Sequence, residues 1–149
     1  MLVAGLRERF TGASMRKIPE LWQRFGPSIG NIPGQIGQVA YGLCSNMLPQ
    51  PFSFDYMAGV EVSSSANLPA GFSHVSIPEL GYSIFPHREH LSKLPNTIDA
   101  IFSHWLPNSG YALLHGVPDL PYMMERYGGS FDPQTGFGDL ELWISLTAK

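Results

Sequence analysis

Charge is scarce in this sequence. Only 14% of its 149 residues are Asp, Glu, Lys or Arg, against 44% hydrophobic, and the net charge is −3. A nucleic-acid binder ordinarily carries a basic patch, so direct contact with DNA or RNA is not expected. Cysteine is nearly absent. With Cys44 alone no internal disulfide can form, which suits a reducing cytoplasm, and a lone strand cysteine reads as a small core residue. No apolar run approaches the roughly 18 residues that a membrane-spanning helix needs. The start, Met1-Leu2-Val3-Ala4-Gly5-Leu6-Arg7, lacks the apolar stretch of a signal peptide. The expected location is cytoplasmic. The G-x-S-x-G elbow, the Walker loop and the G-x-G-x-x-G fingerprint are also missing. The glycine-rich stretches 26–37 and 128–138 lead into no Lys-Ser/Thr, which argues against a phosphate cradle. His87 and His90 bracket Arg88-Glu89 without a third ligand nearby, and His74, His104 and His115 stand alone, so neither a metal nor a cofactor is expected.

What is present is a pattern that occurs twice. Ile18, Leu21, Trp22 and Phe25 sit at i, i+3, i+4 and i+7, with Pro27 following. Ile98, Ile101, Phe102 and Trp105 repeat that spacing, with Pro107 following, each residue 80 beyond its counterpart. The spacing predicts two short amphipathic helices, 18–25 and 96–106, with Pro19 in the first turn of one and Asn96 capping the other. The same offset carries Glu61 onto Glu141, each within an apolar stretch. Strands are predicted at 2–10, 38–46, 52–62, 81–86, 111–116 and 139–147. Segment 63–71 reads as a polar turn and 117–138 as a long Pro-, Gly- and aromatic-rich excursion. The expected fold is α+β: two strand–helix–strand–strand modules, about 1–75 and 76–149, sharing one core within a single domain. An antiparallel sheet with both helices on one face buries both stripes. Beside two such modules there is no room for a helix-turn-helix.

Ile18-Pro19-Glu20-Leu21-Trp22-Gln23-Arg24-Phe25 and Ala58-Gly59-Val60-Glu61-Val62 resemble the first half of a known family, and Trp105-Leu106-Pro107-Asn108-Ser109-Gly110-Tyr111, Glu125-Arg126-Tyr127 and Glu141-Leu142-Trp143-Ile144 resemble its second half. The family is the GyrI-like, or AraC/Rob-type effector-binding, small-molecule-binding domain, here in stand-alone form. The resemblance covers nearly the whole chain. The terminal strand departs from it at Ile144-Ser145-Leu146, where many members have a proline. The resemblance implies a ligand groove between the helices, and a buried glutamate on the last strand that attracts cationic aromatic compounds.

On that reading Glu141 is the leading binding residue. Its neighbours Leu140, Leu142, Trp143, Ile144 and Leu146 suggest a desolvated carboxylate, which a bound cation would compensate. The competing reading is an edge-strand glutamate or an internal salt bridge. Trp143, two residues on, should line the same space, and Tyr56 occupies a position resembling the family's pocket tyrosine. Trp22, Trp105, Tyr82 and Tyr111 supply further π-faces for a planar or cationic ligand. Phe25 and Phe102 read as core, and Glu61, with Asp55, Met57 and Gly59 on its face, as solvated. The function expected first is binding of a hydrophobic, cationic, drug-like molecule for sensing or sequestration, by a monomer or homodimer, with any DNA-binding part supplied by a separate protein. Two alternatives stand beside it. One is hydrolysis of strained, cyclopropane-bearing natural products, with Glu141 as base and Tyr56 or Tyr111 as hydrogen-bond donor. The other is inhibition of a topoisomerase through the apolar segment Pro121-Tyr122-Met123-Met124, although that segment reads more simply as a lid over the groove.

Overall fold

The computed structural model describes residues 1–148. Eight strands, β1 (Leu2–Thr11), β2 (Gln35–Pro49), β3 (Phe52–Val62), β4 (Ser73–Ser76), β5 (Tyr82–Pro86), β6 (Tyr111–Leu113), β7 (Met123–Tyr127) and β8 (Leu140–Ala148), form one antiparallel sheet. Its order is β4-β1-β3-β2-β7-β8-β5, with β6 paired to the end of β8. Helix α1 (Ile18–Phe25) follows β1. The second helix follows β5 and runs as α2 (Leu94–Ala100), a wider π-helical stretch (Ile101–Trp105) and α3 (Leu106–Asn108).

An eight-residue helix is not stable alone, so packing holds α1 in place. Leu21 and Phe25 are fully buried on β1 and β3, Pro19 occupies the first turn where no N–H is required, and Gly26-Pro27 end it. In the second helix Leu94 and Ile101 take the buried positions. It begins two residues earlier than Asn96 predicts, because a 3-10 turn, Leu91–Lys93, leads into it. His90 closes that turn by accepting from the Ser92 N–H.

The halves meet at the β2–β7 pair, which brings Gly42 beside Glu125. One row of paired residues crosses the sheet from β1 to β5 there: Leu6, Ala58, Gly42, Glu125, Leu142, Phe85. It is symmetric about the seam and equates Leu6 with Phe85, Ala58 with Leu142 and Gly42 with Glu125. The strand offsets are therefore 79 for Leu6 and Phe85 and 84 for Ala58 and Leu142, not the 80 of the helices. Glu61 and Glu141 are consequently not equivalent. Met57, not Glu61, corresponds to Glu141.

Two expectations are corrected. The counterpart of β2 is not 111–116 but Met123–Tyr127, so the middle of the supposed excursion is a central strand and no lid. Tyr111–Leu113 is a short strand on the end of β8. The polar turn 63–71 is followed by β4, a strand the sequence pattern does not predict, which pairs with β1.

Candidate ligand-binding site

On the helix-bearing face, Glu125 stands at the seam with its side chain among aromatic rings. It is 8% exposed. The Tyr56 hydroxyl donates to its Oε1 at 2.7 Å and the Tyr127 hydroxyl to the same oxygen at 3.0 Å. The Trp22 indole N–H donates to the Tyr56 oxygen at 2.9 Å. Among the described residues no hydrogen bond uses Oε2, and none leaves a fully buried polar side-chain atom unpartnered, so Oε2 is the oxygen that keeps contact with solvent. Trp22 meets Tyr127 edge-on at 5.4 Å, and Tyr127 meets Phe131 at 4.9 Å. Phe131 belongs to the β7–β8 connection, which thereby reaches over the site.

Burial pushes the Glu125 carboxyl above its usual range, and the two phenol hydrogen bonds offset part of that rise. Burial also raises the Tyr56 and Tyr127 phenols, as does the neighbouring Glu125 carboxylate. Both phenols therefore stay protonated and act as donors.

The backbone makes room for this arrangement at one point. A Cβ on Gly42 would overlap the Tyr56 hydroxyl and stand 2.6 Å from Glu125 Oε1. With Ala58 beside it, Gly42 opens a depression in the sheet over which the phenol and the acid meet.

The residues singled out by sequence divide among separate places. Trp22 and Tyr56 come together with Glu125. Glu141, Trp143 and Tyr82 lie on the opposite face of the sheet. There Trp143 donates to Glu141 at 3.2 Å, Arg126 pairs with Glu141 at 3.4 Å, and Trp143 packs against Tyr82 at 5.4 Å. Glu141 is thus held in an internal salt bridge on the face without helices, and it shares no space with Tyr56. The pairing of Glu141 with Tyr56 or with the exposed Tyr111 is not formed. Trp105 packs on Phe85 at 4.9 Å, over the edge strand and not at the seam. His87 is buried, within hydrogen-bond distance of the Thr97 hydroxyl and the His90 carbonyl, and braces the start of the second helix.

Glu125 and Tyr127 were missed although Glu125-Arg126-Tyr127 contributed to the resemblance. The signal was the i, i+2 spacing, which puts acid and phenol on one face of a strand. Reading the segment as a loop hid it.

Comparison with known proteins agrees with this architecture. The GyrI-like small molecule binding domain matches residues 1–145. The transcriptional regulator BrlR of Pseudomonas aeruginosa is 33% identical over 141 residues, covering 93% of this chain and 50% of BrlR, so the chain spans about half the length of that curated relative. Among solved structures, SAV2435 bound to tetraphenylphosphonium aligns with a TM-score of 0.71 at 18% identity, covering 99% of this chain and 88% of that one. EcmrR in a DNA complex aligns at 0.64 and 15% identity, covering 99% and 54%. At those identities the two structures speak for the fold. With the match over residues 1–145, the chain belongs to the GyrI-like small molecule binding domain family.

Proposed function

We propose that this domain binds lipophilic organic cations at the seam between its halves, with Glu125 as the charge partner and Trp22, Tyr56, Tyr127 and Phe131 as the aromatic wall. The observation that carries the reading is a buried carboxylate with one oxygen held by two phenols and the other free. A buried ionised carboxylate without a cation is costly, by several kcal/mol. A cation at Oε2 offsets that cost, and the ring faces add about 0.5–2 kcal/mol each once water is excluded. A hydrated metal ion gains little from such a wall, whereas a cation wrapped in phenyl groups matches both elements. That SAV2435, a protein of the same fold, was solved bound to tetraphenylphosphonium supports the choice of ligand class. A site that holds charge and shape in this way supports a sensing or sequestering role.

Binding of tetraphenylphosphonium and of the neutral triphenylphosphine oxide to Glu125→Gln, measured by calorimetry, tests this. The cation should lose roughly 30-fold in affinity, about 2 kcal/mol. The neutral compound should change less than about threefold, under 1 kcal/mol. Glu141→Gln should leave both nearly unchanged, because that carboxylate is paired with Arg126 on the other face. A larger loss from Glu141→Gln than from Glu125→Gln would overturn the assignment.

A further inference from the structure

The two halves differ at their outer edges. In the first half the outer edge of β1 is occupied, since Leu2–Gly5 pair with Ser73–Ser76 of β4. By the symmetry that equates Leu6 with Phe85, the matching stretch of the second half is 81–84. Among the described residues no strand pairs with the outer edge there. The Leu146 N–H donates to the Gly81 carbonyl at 3.0 Å and the His87 N–H to the Leu140 carbonyl at 2.9 Å. Odd-numbered residues of β5 therefore turn their backbone groups toward β8. In an antiparallel ladder the alternate residues, Tyr82 and Ile84, then point their N–H and C=O groups outward. Pro86 has no N–H to offer and ends the run.

Beside this edge, on the helix face, a cleft of about 440 Å³ lies between β5 and the second helix. Phe85, Ala100, Ile101 and Trp105 form its apolar part, and Glu89 stands at its rim. Among the described residues Glu89 has no salt bridge or side-chain hydrogen bond. Ile84, on the other side of the strand, is 46% exposed.

We propose that the β5 edge and this cleft form a docking site for an extended segment of a partner protein, added antiparallel to β5 as β4 is added to β1, with an apolar side chain opposite Phe85 and a basic residue toward Glu89. Strand addition of this kind draws affinity from main-chain hydrogen bonds and selectivity from the pocket that receives alternate side chains. A residue paired with Phe85 points its side chain into the cleft, and one two positions earlier lies toward Glu89. The unpaired carboxylate selects a positive charge at that end. A second copy of this chain fits less well. A five-residue edge closed by proline is short for a stable interface, which clears about 1,000 Å². A linear segment gains the cleft as well as the edge.

The test uses the whole chain and a fluorescein-labelled peptide, acetyl-Lys-Thr-Leu-Thr-Val-Thr-amide, which places leucine opposite Phe85 and lysine toward Glu89. Fluorescence anisotropy should show saturable binding. Replacing the lysine by glutamate should weaken it roughly tenfold, the factor that 1.4 kcal/mol represents. Glu89→Lys should reverse that preference. Methylating the amide of the threonine between leucine and valine should abolish binding, and so should Ile84→Pro, which removes an outward N–H while circular dichroism stays unchanged. No saturation up to about 1 mM, a free energy near 4 kcal/mol, overturns the proposal. So does binding that survives both amide removals. A dimer in sedimentation that Ile84→Pro converts to monomer would assign the edge to a second copy, and likewise overturn it.

Discussion

Glu125 is ionisable, buried and bonded by two phenols, and together these determine how it answers to pH. Its folded-state pKa is raised because burial disfavours the charged form more than the hydrogen bonds favour it. A raised acid binds its proton more tightly in the folded state than in the unfolded one. Its contribution to stability is therefore complete below the unfolded pKa and is lost as pH rises through the folded value. Unfolding of the ligand-free protein in urea should show stability declining with pH over that window, and Glu125→Gln should flatten the decline. On the proposed function, a cation that binds at Oε2 should release the same proton. Calorimetry of tetraphenylphosphonium in buffers of different ionisation enthalpy should detect proton release near the folded pKa, with affinity increasing as pH rises. No buffer dependence would mean that the cation sits elsewhere. That Glu125, and not Glu141, is the acid on the helix-bearing face was not legible from the residues flanking either. Leu140, Leu142 and Ile144 adjoin Glu141 in sequence, but with a period of two they face the helices while Glu141 faces away. Apolar neighbours at i±1 on a strand describe the opposite surface. The informative neighbours of Glu125 are Gly42 and Leu142, brought beside it by register alone.

At the level of elements, both helices could be read because their stripes are local: four apolar positions within eight residues specify a face. Strands β1, β3 and β8 were readable for a related reason, each being long with marked apolar content. Strand β7 was not. It is five residues long, flanked by Pro121 and by Gly128-Gly129, and its core-facing positions are Met123, Glu125 and Tyr127. An acid turned inward defeats hydrophobic alternation, so the element that carries the site is the one whose pattern is weakest. The connection after it retains part of the covering role expected of the 117–138 segment. Phe131 reaches back onto Tyr127, and the Leu91 N–H donates to the Gly136 carbonyl at 2.8 Å, tying that connection to the start of the second helix. Phe131→Ala should leave the sheet intact and admit water beside Glu125. Carbon-13 titration of the glutamate carboxyls should then find the Glu125 pKa moved down toward the ordinary range, since desolvation is what holds it up. An unchanged titration would show that Phe131 packs on Tyr127 without shielding the acid.

For the whole molecule, duplication has a consequence that neither half contains. Trp22 and Tyr56 come from the first half, Glu125, Tyr127 and Phe131 from the second, and the contacts among them cross the β2–β7 seam. The core crosses it too: Phe25, Tyr56 and Val60 belong to one contiguous cluster with Met123, Leu142 and Ile144. A half of roughly 75 residues standing alone would expose that surface and fall near the lower limit of independent stability. The halves should therefore unfold together. Far-ultraviolet circular dichroism, which reports the sheet and helices, and tryptophan fluorescence, to which Trp22 in one half and Trp105 and Trp143 in the other contribute, should give coincident urea midpoints. A cation bound at the seam contacts both halves, so at 100 times its Kd it should raise the stability of that single transition by about 2.7 kcal/mol and leave the two signals superimposed. Separate midpoints, with only one moved by ligand, would instead place the whole site within one half and remove the seam from the account of binding.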